Sequence, residues 1–353
     1  MLFTLCSLRI VQSACQAWSF ISGERAVIRQ ASGCCTTSRE SGQTPTRRLL
    51  VVLTPDIPDS MQSQESRAER SPVEQLLRLL DLEPIEENIF RGLSPKDRFQ
   101  RVFGGQVLGQ ALVAASRTVE ARICHSLHAY FLLPGDPKVP ILYEVDRSRD
   151  GSSFSSRRVV AIQHGRQIFH MATSFQIRET GPEHQIDPPR VPGPDELPDE
   201  EEYRRKRAGS IPAKYREHFL RKRPIEVRPV DGEHFVSGER RPPFHAVWLR
   251  ASGELPDDTA LQQCVLAYAS DMTLLETSLL PHGIKWFDEK VQLASIDHAM
   301  WFHRPFRVDE WLLYIQDSPS ASGARGFNRG LVYSREGTLV ASVAQEGLVR
   351  VRT

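Results

Sequence analysis

The sequence predicts an α+β fold of two fused units, each a long buried helix followed by an antiparallel sheet that wraps it. Three observations predict it. Residues 103–116 and 258–280 carry small and apolar side chains all round, as a helix does when every side is covered. Each stretch precedes four strand-like runs, at 126–133, 141–147, 154–163 and 167–176, and again at 295–302, 310–317, 325–334 and 338–351. Short motifs also recur in order. His128-Ala129, then Phe131 and Pro134, parallels His298-Ala299, then Phe302 and Pro305, with one extra residue in the second copy; 171–176 parallels 340–345. A duplicated unit of roughly 120 residues accounts for such a pattern.

The organised chain begins at Pro72. Val73, Leu76, Leu77, Leu79 and Leu80 give a short amphipathic helix, with Ser71 as its N-cap. Residues 85–90 then read as a strand. Gly104 and Gly105 sit where the first long helix starts, and Asp257, Asp258 or Thr259 can cap the second. His164-Gly165 and Glu336-Gly337 separate alternating runs as hairpin turns do. On this reading 73–186 is the first unit and 224–353 the second. Between them, 187–223 holds Pro188, Pro189, Pro192, Pro194 and Pro198, then an acidic and a basic run, and reads as a surface linker with one short charged helix.

Residues 1–72 read as an extension outside the fold, polar and disordered. Up to residue 55 there are six arginines against Glu24 and Glu40, with frequent Ser and Thr. That composition suits an organelle transit peptide; the alternative is a stretch upstream of a true start at Met61.

Composition narrows the function. Basic residues number 45 and acidic residues 44 in the 353, for a net charge of +1, which gives no case for nucleic acid or an acidic membrane surface as the main partner. No apolar run reaches the ~18 residues of a membrane-spanning helix. Cys124 and Cys264 lie in apolar contexts and read as buried thiols of a reducing compartment. The chain has no Gly-x-Ser-x-Gly elbow, Gly-x-Gly-x-x-Gly, phosphate-binding Gly-x4-Gly-Lys or Cys-x-x-Cys. α/β-Hydrolase chemistry, nucleotide cofactors and structural zinc are therefore not indicated.

Asp271 stands out among the titratable residues. It falls late in the second apolar stretch, among Leu266, Ala267, Tyr268, Leu274 and Leu275, where a carboxylate is costly unless hydrogen-bonded. Pairing Val107-Leu108 with Val265-Leu266 places Val113 opposite it, so the first unit lacks the acid, while Gln176 matches Gln345. His128 and His298 lie on apolar strands and admit two readings, general base or satisfied core residue. By strand alternation Asp297 shares a face with Ser295 and can join it or bond His298.

Phe103-Gly-Gly-Gln106, His125-Ser-Leu-His128, Tyr268-Ala-Ser-Asp271, the block 295–303 from Ser295 to His303, and Ala344-Gln-Glu-Gly347 resemble the type II acyl-CoA thioesterase family over residues 73–353. The resemblance implies a double hotdog fold, a fatty acyl-CoA substrate, no metal or organic cofactor, and a homodimer or homotetramer. It places the catalytic network on Asp271, Ser295 and Gln345, with Ser295 where the bacterial form has Thr. These side chains are suited to hold and activate a water directly, with no acyl-enzyme. For the substrate, Gly104 or Gly105 can offer a helix N-terminal N–H to the thioester oxygen, His128 is a further contact, and a polar loop at 318–326 with Arg325 can meet a phosphate. Two other readings remain open, a non-catalytic acyl-CoA binding protein and a hotdog dehydratase. The compartment expected is the cytoplasm, or the mitochondrion or plastid if residues 1–60 are a transit peptide; the C-terminal peroxisomal signal of the animal relatives is not seen.

Overall fold

The computed structural model describes residues 70–95, 101–231 and 237–352; the expectations placed on residues 1–69 lie outside them. Helix α1 (Pro72–Leu80) starts with a capping box. The Ser71 hydroxyl accepts from the N–H of Glu74, whose carboxylate accepts from the N–H of Ser71. Its stripe of Val73, Leu76 and Leu80 is buried. The single strand expected at 85–90 is instead a hairpin of β1 (Glu83–Glu86) and β2 (Ile89–Gly92), because Asn88 turns the chain with φ of 62°.

Helix α2 (Gly104–Ser116) is buried on nearly every side. It leads into β3 (Ile123–Phe131), β4 (Ile141–Asp150), β5 (Phe154–Gln163) and β6 (Arg166–Gln176). The stretch after them differs from a bare linker with one helix. It forms α3 (Glu200–Arg207) and α4 (Ala213–Leu220), and Tyr203, Ile211 and Phe219 build a small core with Tyr215, Trp286 and Phe287. It is also anchored to the second half of the chain, where Trp248 Nε1–H donates to the Pro192 carbonyl at 2.9 Å.

The second half opens with β7 (Ile225–Pro229) and β8 (Phe244–Ala251), then helix α5 (Thr259–Ser270), whose first N–H groups are capped by Asp258. Next come β9 (Val291–Ser295), β10 (Asp297–Phe302), β11 (Leu312–Ser322), β12 (Arg325–Ser334) and β13 (Leu339–Val351). The strands form one antiparallel sheet whose order repeats from both edges inward: β1-β2-β4-β5-β6-β3 meets β10-β13-β12-β11-β8-β7, with β9 beside β13. The halves join where β3 pairs β10, His128 opposite Ala299.

The two long helices run antiparallel against each other inside this sheet. Gly105 and Gly109, one turn apart, make the close approach possible: a Cβ on Gly105 would lie 2.3 Å from the Tyr268 carbonyl oxygen, and one on Gly109 3.1 Å from that of Cys264. Leu108, Leu112, Val265 and Leu266 fill the core around them.

Two further expectations are corrected. The helix expected through 280 stops at Ser270, whose hydroxyl turns back to the Ala267 carbonyl. The chain resumes as a 3-10 helix, Leu274–His282, closed by Gly283 at φ of 64°. The loop expected at 318–326 is a hairpin of the two strands, with a register shift between Asp317 and Ser320 and a turn at Gly323 and Ala324, both with positive φ.

Candidate active site

Asp271 is the C-cap of α5, so the end of the helix aims its carboxylate at the seam between the halves. Ser295 closes β9 and Gln345 lies on β13. The three side chains meet. Asp271 Oδ1 accepts from Gln345 Nε2 at 2.5 Å and from Ser295 Oγ at 3.0 Å, and Gln345 Nε2 also donates to Ser295 Oγ at 3.1 Å. Asp271 and Ser295 are half-buried, while Gln345 is fully buried. Burial pushes the Asp271 carboxyl up to about 6, against the pull of Gln345, Ser295 and the backbone N–H of Gly105.

That N–H comes from the other half. Gly104 and Gly105 open α2, and a Cβ on Gly104 would sit 2.6 Å from Asp271 Oδ2 and 3.2 Å from the Phe131 ring. Both glycines therefore reach the site, but Gly105 faces the carboxylate, a contact that the expected donation to a thioester did not foresee. The positive end of the helix dipole stabilises the ionised acid.

A bulge explains why Ser295 and not Asp297 joins the group. Ser295 pairs Gly347 and Ala299 pairs Ala344, so one strand takes four steps where its partner takes three. The extra residue turns Asp297 to the outer face. There its Oδ1 accepts from the N–H of Glu346 at 2.7 Å, and it bonds neither Ser295 nor His298.

Other expected residues fall elsewhere. His128 is exposed on the outer face, its ring edge-on to Trp301 at 5.2 Å, because its neighbours Leu127 and Ala129 take the inward positions. Arg325 also points outward and bonds Glu346 Oε1 at 2.9 Å. His298 is buried, shares a hydrogen bond with Ser270 Oγ at 2.9 Å, and burial pushes it down to about 3. The repeat is corrected too. Arg117, not Val113, caps α2 as Asp271 caps α5. Gln176, at the end of β6, bonds Glu179.

A second buried acid, Glu276, lies five residues beyond Asp271 on the 3-10 helix, where burial pushes the carboxyl up to about 8 against the nearby Arg223. An acid inside the apolar run 274–280 was its signal. Among the described residues no group of three or more His, Cys, Asp or Glu is placed to hold a metal ion, and no helix is long and apolar enough to cross a membrane.

Comparison with known proteins bears on this geometry. A family profile described as acyl-CoA thioesterase matches residues 214–348, and one described as the acyl-CoA thioesterase N-terminal domain matches 94–176. Acyl-CoA thioesterase 2 of Haemophilus influenzae is 44% identical, over 78% of this chain and 96% of its own length. Acyl-coenzyme A thioesterase 8 of Homo sapiens is 43% identical, over 78% of this chain and 88% of its own. The crystal structure of an acyl-CoA thioesterase II from Mycobacterium marinum, 44% identical, superposes with a TM-score of 0.64 over 78% of this chain and 98% of that one. With two helix-in-sheet halves joined into one sheet, and with this likeness along most of its length, the chain belongs to the acyl-CoA thioesterase family, on the double hotdog fold.

Proposed function

We propose that the chain hydrolyses fatty acyl-CoA thioesters to free fatty acid and CoA, using a water activated by Asp271, Ser295 and Gln345, without an acyl-enzyme. The observation that carries this is the closed triangle around Asp271 Oδ1. Two donors hold that oxygen, which leaves Oδ2 to act as the base. Oδ2 lies close against Gly104, a contact that only a residue without a Cβ allows. A carboxyl near 6 is ionised at neutral pH yet basic enough to take a proton from water as the water attacks the thioester carbonyl. The C–S bond then breaks, and the proton passes from Asp271 to the departing sulfur. The Ser295 hydroxyl donates to Asp271, and we assign it the role of orienting the base, with water as the nucleophile.

A dehydratase needs a His paired with a carboxylate in the site. His298 bonds Ser270 instead, and His128 is on the outer face, so the geometry disfavours that reading. Assembly as a homodimer or homotetramer is supported by the exposed Tyr130 and Trp301 near the centre of the outer sheet face. Residence in a reducing compartment such as the cytoplasm is supported by the free, buried thiols of Cys124 and Cys264.

The test is release of free CoA thiol from acyl-CoAs of short to long chain, wild type beside Asp271→Asn. The proposal expects turnover by wild type and a loss of about 10²-fold or more in the folded variant. Saturable binding without turnover would instead make the chain an acyl-CoA binding protein.

A further inference from the structure

Next to the Asp271 triangle, the inner face of the second half holds another polar group. Asn328 on β12 is the direct cross-strand partner of Gln345 on β13. Their side chains leave the sheet on the same face, with Cβ atoms about 5 Å apart. Both residues are fully buried. Each presents an amide oxygen, Asn328 Oδ1 and Gln345 Oε1, that no donor among the described residues reaches. The nitrogen ends are occupied: Asn328 Nδ2 donates to the Gly326 carbonyl at 3.2 Å, and Gln345 Nε2 serves Asp271 and Ser295. Turning the Gln345 amide over would set its oxygen against the carboxylate, so Asp271 fixes which end faces which way.

Close contacts over three glycines surround the pair. A Cβ on Gly347 would lie 2.2 Å from Leu275, one on Gly326 2.3 Å from Ser278 Oγ, and one on Gly330 2.2 Å from the Tyr314 ring. The 3-10 helix and Tyr314 thus descend onto the sheet on either side of the Asn328–Gln345 pair. An apolar side chain would suit so closely packed a place; the sequence puts an amide there instead. Two neighbouring buried acceptors without a donor are costly, and a single water, with two hydrogens to give, matches both.

We propose that Asn328 is a positioning residue of the reaction: its Oδ1 and the Oε1 of Gln345 share the hydrogens of one buried water, which locks the Gln345 amide with its nitrogen toward Asp271 and Ser295. This rests on the reading of Asp271, Ser295 and Gln345 as the water-activating network. Without that water the Gln345 amide is held from its nitrogen end alone, and the largest of the hydrogen bonds that hold the proton affinity of Asp271 down is weakened. The other groups facing Asp271 are Ser295, the Gly105 N–H and Tyr314, whose own ionisation Asp271 opposes.

Asn328→Leu keeps the size and removes the acceptor. Hydrolysis of an acyl-CoA is followed against pH for wild type, Asn328→Leu, Asn328→Ser and Gln345→Leu. Asn328→Leu is expected to lower kcat by about 10-fold or more with KM nearly unchanged, and to move the acid limb of kcat/KM to higher pH. Asn328→Ser, which restores an acceptor, recovers most of the rate. A folded Asn328→Leu protein with wild-type kcat and an unmoved acid limb overturns the inference. If Asn328→Leu does not fold, a high-resolution crystal structure of the wild type decides, since it must show a water within hydrogen-bond reach of both oxygens. Full activity in Gln345→Leu would sink the network assignment itself, whereas an inactive Gln345→Leu beside an unaffected Asn328→Leu would sink only the role of Asn328.

Discussion

The carboxylate of Asp271, at the end of one long helix, faces the backbone N–H of Gly105, at the start of the other. The antiparallel packing of the helices makes this meeting unavoidable, and it adds a partial positive charge beside the base. The acid is thereby raised by burial yet kept ionisable near neutral pH.

A rate profile reads this directly. kcat/KM of the wild type is expected to fall on acidification with a midpoint near 6, where Asp271 takes up its proton. CoA release measured from pH 4.5 to 8 checks it; a flat profile across that range would remove Asp271 from the role of base.

The same shift has a cost in stability, and its sign follows from the direction. Asp271 binds its proton more tightly folded, at about 6, than at its ordinary value of 3.8. Stability therefore falls as pH rises from 3.8 through 6, and the whole penalty is present above 6. Asp271→Asn is expected to melt at a higher temperature than wild type at pH 8, with the gap closing below pH 4. Thermal melts at several pH values test this, and an equal or lower Tm at pH 8 would contradict it.

Gly105→Ala places a Cβ 2.3 Å from the Tyr268 carbonyl oxygen, which belongs to backbone and cannot rotate away. The helices must part, at a cost of about 1–3 kcal/mol. Denaturant unfolding reads the loss, and activity should fall with it because the Gly105 N–H withdraws from Asp271.

Much of this architecture was legible in the residues. Helix α1, helix α2 and strands β5 and β12 are where periodicity and capping residues put them, since each is governed by its own short pattern. The errors arise where one residue overrides a pattern. Asn88 at φ of 62° splits a strand, Ser270 ends a helix inside an apolar run, and Ile296 is the extra residue that reverses the face of Asp297. Alternation is blind to such a step. Asp271 could be picked out by its apolar setting, and Ser295 and Gln345 only by family likeness. The Gly105 contact depends on a packing between halves that no local pattern records.

His128→Ala and Arg325→Ala both alter the outer face, away from Asp271. Each is expected to leave kcat/KM within about two-fold of wild type. A loss of 10²-fold in His128→Ala, with the fold intact, would revive a His-based mechanism.

Tyr130 and Trp301 are 49% and 37% exposed at the centre of the sheet's outer face, a place where apolar surface marks a contact. Replacing both by Glu is expected to convert an oligomer to monomer in size-exclusion chromatography with light scattering. A wild type that already runs as a monomer would contradict the proposed assembly.

The site's location at the seam also decides what a severed chain could do. One half owns the acid and the other owns the helix start that faces it. If the protein were made as two separate chains broken near residue 187, neither alone would possess the complete centre, and turnover would grow with the product of their concentrations until they were fully paired.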